Sequence, residues 1–244
     1  NGGGVVLPKE WINGRAIIKL IEKPLNIRKD ALEILEKYLD DVQGIYLVGS
    51  YARMEQTQRS DVDVLVITNK INKRIEQGKY NILLVSDEQV KKSLRENILP
   101  ILPMLKEAKV ILNEQLISDY KKTNLTKKNL KWHIETTKSA MKMNKTAIEL
   151  DELENKNISD NVIYSLILRL RELYIVDGLM NNKKLLKKEF LGLVKNLATI
   201  NSYEAYLRAK NNEKIKRVIS AEEARKIYNY IIEKIKEQEK WLIK

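Results

Sequence analysis

No cysteine occurs among the 244 residues, histidine and phenylalanine occur once each, and four prolines and nine glycines are spread over the whole chain. The lack of cysteine excludes disulfides, a thiol nucleophile and any metal site built on thiolates. The single histidine, His133, excludes polyhistidine metal sites and argues against a histidine-based triad; it reads as a face residue of a helix. No uninterrupted apolar run is long enough to span a bilayer and no secretory leader is visible, so a cytoplasmic protein without a membrane partner is expected.

Apolar residues make up 43% of the sequence, ample for a packed core in one large domain or two small ones. Richness in Lys, Glu and Ile without cysteine resembles proteins of heat-adapted, archaeal-like organisms. The formal net charge of +12 is uneven: residues 1–122 carry 20 Lys+Arg against 17 Asp+Glu, and residues 123–244 carry 25 against 16. Such a basic half either steers a nucleotide, a nucleic acid or an acidic protein toward a site, or is a lysine-rich solvated surface intermixed with Glu.

The most specific stretch is GIYLVGSYARMEQTQRSDVDVLVIT. Asp61 and Asp63 stand at i and i+2 at the start of an apolar strand, so their carboxylates share a face. Two anions so close repel unless a cation sits between them, and hard oxygen ligands suit Mg²⁺ or Mn²⁺. Asp63 is flanked by Val62, Val64 and Leu65, where an uncompensated carboxylate would be costly. The strand Ile45 to Val48 ends at Gly49-Ser50, and Tyr51 to Met54 read as a turn of helix. Gly49 permits close backbone approach, and the N–H groups of the turn with the Ser50 hydroxyl are donors suited to phosphate oxygens. Arg53 and Arg59 add cationic donors nearby.

At these positions the chain resembles the nucleotidyltransferase superfamily that includes DNA polymerase β, the kanamycin nucleotidyltransferases and many archaeal minimal nucleotidyltransferases. The resemblance is carried by VGSYARM followed by SDVDVLV, within Gly44 to Thr68. It implies that Gly49 and Ser50 hold the phosphates of a nucleoside triphosphate, with Arg53, Arg59 and Ser60 at the nucleotide, and that Asp61 and Asp63 bind the catalytic Mg²⁺ or Mn²⁺. The implied reaction is attack of an acceptor hydroxyl on the α-phosphorus with loss of pyrophosphate. The acceptor is a small molecule, a protein or a nucleic acid.

The sequence departs from the family pattern twice. Met54 stands where the family often has glycine. A third carboxylate is expected on a later strand, and the strand from Tyr80 to Ser86 offers only Asn81, a neutral oxygen donor to metal that cannot serve as a base. These departures keep a second reading open, a regulatory or antitoxin-like interaction protein that retains the fold with weak or no catalysis. A third is a nucleic-acid-binding module using the basic half and the N-terminal hairpin.

Three segments are expected. Residues 1–24 read as a β hairpin-like element that resembles half of the swapped-hairpin barrels of AbrB-type DNA-binding proteins. Residues 25–122 read as an α/β (α+β) nucleotidyltransferase fold, with a helix over Ile27 to Leu39, strands at Ile45 to Val48, Val62 to Ile67, Asn81 to Val85 and Val110 to Leu112, and a helix starting near Pro100 and Pro103. Residues 123–244 read as an all-α helical bundle. Helices are expected at Lys127 to Asn155, Ser159 to Met180, Lys184 to Ala198, Ser202 to Lys210 and Ala221 to Ile243, with Ser159 and Ser220 as N-caps and asparagine pairs at turns. In the apolar second helix, Arg169 and Arg171 line a substrate cleft or pair internally, as Arg169 would with Glu172. The bundle also resembles HEPN domains, although the position five after Arg171 is Val176, so their Arg-Xaa4-His motif is absent.

Overall fold

The computed structural model describes residues 6, 8–15, 17, 25–58, 60–210, 213 and 219–243. The N-terminal hairpin expected over residues 1–24 falls largely outside these; among the described residues there, Lys9–Trp11 form a 3-10 turn.

Helices and strands then alternate: α1 (Ile27–Leu35), β1 (Val42–Val48), α2 (Gly49–Arg53), β2 (Val62–Thr68), β3 (Lys73–Gln77), β4 (Tyr80–Ser86), α3 (Asp87–Glu96), α4 (Leu102–Glu107), β5 (Lys109–Leu112) and α5 (Glu114–Lys121). The strands form one mixed sheet in the order β3-β4-β2-β1-β5. Among the described strands only β2 and β4 run parallel. Strand alternation divides the apolar side chains between two faces. Val62, Val64 and Val66 pack with Ile45, Ile82 and Leu84 under Leu35 of α1. Leu65 and Ile67 pack with Tyr46, Val48 and Val85 against Val90 of α3, Leu105 of α4 and Ile117 of α5. Asp63 belongs by parity to this second face, at its open end.

Strand β3 was not expected. Its sequence, KRIEQ, has a single apolar residue, Ile75, and its other four residues are exposed. It forms because it is an edge strand, pairing only with β4 across the two-residue turn Gly78-Lys79, where Gly78 takes φ +59°. Helix α1 is shorter than its periodicity suggests and tightens into a 3-10 segment over Glu36–Asp41.

From Lys127 onward the described chain is helical: α6 (Lys127–Leu153), α7 (Asp160–Met180), α8 (Lys187–Leu197), α9 (Ile200–Lys210) and α10 (Ala221–Ile243). Thr126, Ser159 and Ser220 cap α6, α7 and α10. Asn155 and Asn182 end helices in the left-handed region that asparagine tolerates. The largest shift is at α8, which starts at Lys187 instead of Lys184. Leu186 is held extended because the Tyr174 hydroxyl donates to its carbonyl and accepts from its N–H. One apolar cluster runs through all five helices and takes in Ile98, Leu99 and Leu102, while Asn129 of α6 donates to the carbonyls of Leu94 and Arg95. The helices are therefore packed onto the sheet-bearing half. Among the described residues, no helix is long and apolar enough to cross a membrane.

His133 lies on the inner face of α6 with only 1% of its surface exposed, and neither ring nitrogen has a hydrogen-bond partner. Burial, and then the Arg169 charge, push its pKa down to about 4; Gln238 lies close enough to favour the proton without making a regular hydrogen bond. The unfolded chain therefore protonates first as pH falls, so stability is lost between about pH 6.5 and about 4. At ~1.4 kcal/mol per pKa unit the loss amounts to roughly 3 kcal/mol. Denaturant unfolding of wild type and His133→Leu at pH 7 and pH 4 is expected to show this loss in wild type beyond that of the variant. Equal losses would mean that His133 is protonated in the folded chain.

Candidate active site

Asp63 sits in the middle of the sheet. On one side it pairs with Val48, the last residue of β1, and on the other with Asn81 of β4. The chain turns at Gly49 with φ +69°, and an added Cβ there would run into Asp63 Oδ2. Only glycine fits both conditions. The Asp63 carboxylate is half-buried and its Oδ1 accepts from Asn81 Nδ2 at 2.9 Å, while Asn81 Oδ1 is buried without a partner. Burial raises the Asp63 pKa, against the Asn81 hydrogen bond; the neighbouring Asp61 charge raises it further, and Lys210 and Arg53 oppose. Asp61 is exposed, one residue before the strand.

These donors suit a hard divalent cation. The two carboxylates repel, and no third His, Cys, Asp or Glu joins them in a metal-holding group among the described residues. A cation there would complete its shell with water and ligand oxygens, as Mg²⁺ does.

The loop that begins with α2 is tied to both halves of the chain. The Gly49 N–H donates to Glu107 Oε1 at 2.7 Å. Arg53 donates from Nη1 to Glu107 Oε2 at 2.5 Å and from Nε to Glu55 Oε2 at 2.8 Å. Glu55 also accepts from the backbone N–H groups of Lys187 and Lys188 at 3.1 and 3.5 Å. Helix α8 has no side-chain cap at its own N-cap residue, so a carboxylate from far upstream caps it. Burial works to raise the Glu55 pKa, but these donors, Arg53 foremost, bring it below the ordinary range. Met54 ends α2 in the left-handed region at φ 60°, with its side chain exposed. That conformation explains why glycine suits this position and shows that methionine is accommodated at a backbone cost.

Gly49, Asp61, Asp63 and Asn81 are thus brought together, with Ser50 in the first turn of α2. Ser60 closes its loop through Thr57, whose N–H donates to Ser60 Oγ at 2.9 Å. Arg59 lies outside the described residues. Arg169 pairs with Glu172 at 2.6 Å, and Arg171 lies near Tyr203 of α9. Three residues at the site went unnoticed in the sequence: Glu55, Glu107 and Lys210. Glu107 and Lys210 are ordinary charged residues far along the chain from the groups they meet, and Glu55, two residues from Arg53, meets α8 from 132 residues away; no local pattern marks these contacts.

Residues 28–169 match the family model described as "Nucleotidyltransferase domain". A segment of 40 residues is 50% identical to "Putative protein adenylyltransferase MJ0126" of Methanocaldococcus jannaschii, covering 16% of this chain and 39% of that relative's length. Among solved structures, a nucleotidyltransferase-like protein from Exiguobacterium sibiricum is 13% identical at a TM-score of 0.40, over 87% of this chain and 75% of the other. The spectinomycin adenyltransferase AAD(9) from Enterococcus faecialis, solved with ATP and spectinomycin, is 13% identical at 0.43, over 85% and 97%.

Proposed function

The chain belongs to the nucleotidyltransferase domain family, and on that premise we propose that it transfers a nucleoside monophosphate from an NTP to an acceptor hydroxyl, releasing pyrophosphate. The observation that carries this reading is the contact of the Gly49 turn with Asp63, beside Asp61. It sets a backbone turn suited to phosphate against a pair of carboxylates suited to a cation, within the span of one small ligand.

In this reading Gly49 and Ser50 hold the triphosphate, Arg53 and Ser60 border it, and Asp61 and Asp63 bind Mg²⁺ or Mn²⁺. Bound there, the cation supplies charge neutralisation and Lewis acidity at the phosphates. Asn81 orients Asp63 through its amide N–H, and Lys210, whose charge favours ionised Asp63, approaches from α9. The acceptor's new O–P bond forms as the α–β phosphoanhydride bond breaks. The sheet-bearing half supplies the site and the helical half bears on the acceptor. The name of the archaeal relative makes ATP the first nucleotide to test and a protein hydroxyl the first acceptor.

Thermal unfolding with Mg²⁺ and each of ATP, GTP, CTP and UTP tests the site. One nucleotide is expected to raise the midpoint by about 5 °C or more at a hundredfold excess over its Kd. No shift with any of the four would contradict the proposal. Asn81 in place of a carboxylate favours a second reading, a chain that binds nucleotide and signals through its helices without turnover; a shift with no transfer would select it.

A further inference from the structure

Two of the donors assigned to phosphate already meet an anion. The Gly49 N–H and the Arg53 guanidinium both donate to one carboxylate, Glu107, at 2.7 and 2.5 Å. We propose that Glu107 is an internal stand-in for nucleotide phosphate, so that an incoming triphosphate and Glu107 compete for these donors. The inference rests on the reading of Gly49 to Arg53 as the phosphate-binding loop.

Three features support competition. First, Glu107 is the last residue of α4, where the negative end of a helix disfavours a carboxylate, so its placement is explained by the donors it meets and not by its own helix. Second, Arg53 is held independently. Its Nε bonds Glu55, and Glu55 is fixed by two N–H groups of α8, so the guanidinium stays in place when Glu107 leaves. Third, Arg53, Glu55 and Glu107 together carry net negative charge beside Asp61 and Asp63, an arrangement that repels a polyanion until one carboxylate withdraws. The Glu107 side chain is 16% exposed, and solvent lies within its reach.

Binding of Mg²⁺ with inorganic tripolyphosphate, measured by calorimetry on the full chain, tests this without knowing the base. Glu107→Gln keeps an oxygen for the Gly49 N–H and removes the charge that holds Arg53. Its Kd is expected to fall roughly tenfold, the scale of one charge-assisted hydrogen bond. With the preferred NTP, KM should fall while kcat is unchanged. Glu107→Asp, whose shorter carboxylate reaches the donors less well, should move Kd in the same direction and serves if the glutamine variant fails to fold. A Kd that is unchanged or weaker in a folded variant overturns the inference and leaves the site standing. A collapse of kcat at constant KM overturns it by placing Glu107 in the chemistry. Absence of tripolyphosphate and NTP binding in wild type and variants alike overturns both this inference and the site reading.

Discussion

Asp63→Asn is expected to lower nucleotide transfer by about 10³-fold or more, the scale on which groups that stabilise transition-state charge act, and to leave the fold intact. Asparagine matches aspartate in volume and its oxygen can still accept from Asn81, so packing between β1 and β4 is preserved. What is lost is the charge, and with it the affinity for a divalent cation. The folded chain holds that charge against burial and against Asp61, which is why its pKa is raised. Removing it relieves both, so the variant should melt no lower than wild type in metal-free buffer. Opposite changes in activity and stability are the signature of a group retained for function. Asp61→Asn should lose transfer with almost no change in stability, because its side chain is exposed. Label transfer and denaturant unfolding on the same preparations provide the check, and transfer surviving both substitutions would remove the metal assignment.

Gly49→Ala is expected to damage both stability and binding. The left-handed backbone at φ +69° alone costs a non-glycine residue roughly 1–2 kcal/mol, and the new methyl group meets Asp63 Oδ2, a group pinned in the sheet. Gly78→Ala provides the comparison. Its φ of +59° carries a similar backbone cost, but nothing lies within 4 Å of the added carbon. Gly49→Ala should therefore be the more destabilising by about 1–3 kcal/mol, as strained core contacts are, and it alone should abolish the nucleotide-dependent rise in melting temperature. Equal costs in urea unfolding would mean that Gly49 and Asp63 are not in contact.

The elements nearest the site were legible because their cues are local. Alternation in DVDVLV, the abrupt Gly49-Ser50 after an apolar run and the i, i+2 carboxylates all lie within one stretch of sequence. The five long helices were legible from periodicity and from Ser159 and Ser220. Strand β3 was not, because an edge strand with one buried side chain has no hydrophobic alternation to read. The start of α8 was misplaced because Tyr174 and Glu55, both distant in sequence, set it. The same holds for the site's charged surroundings. Arg53 reads from the sequence as a donor at the nucleotide, and nothing in its neighbourhood announces Glu107, fifty-four residues on, as its partner. The second departure, Asn81, was visible as a missing carboxylate; that its amide orients Asp63 required the parallel register of β2 and β4.

The most direct test of nucleotidyl transfer is the fate of label from α-labelled and γ-labelled ATP, GTP, CTP and UTP. Each is incubated with Mg²⁺, the protein, and either total protein or total RNA as acceptor. The account predicts that α-label from one nucleotide becomes covalently attached to acceptor, that γ-label leaves as pyrophosphate, and that neither occurs with Asp63→Asn. Attachment of γ-label, or attached α-label that persists in Asp63→Asn, would contradict it.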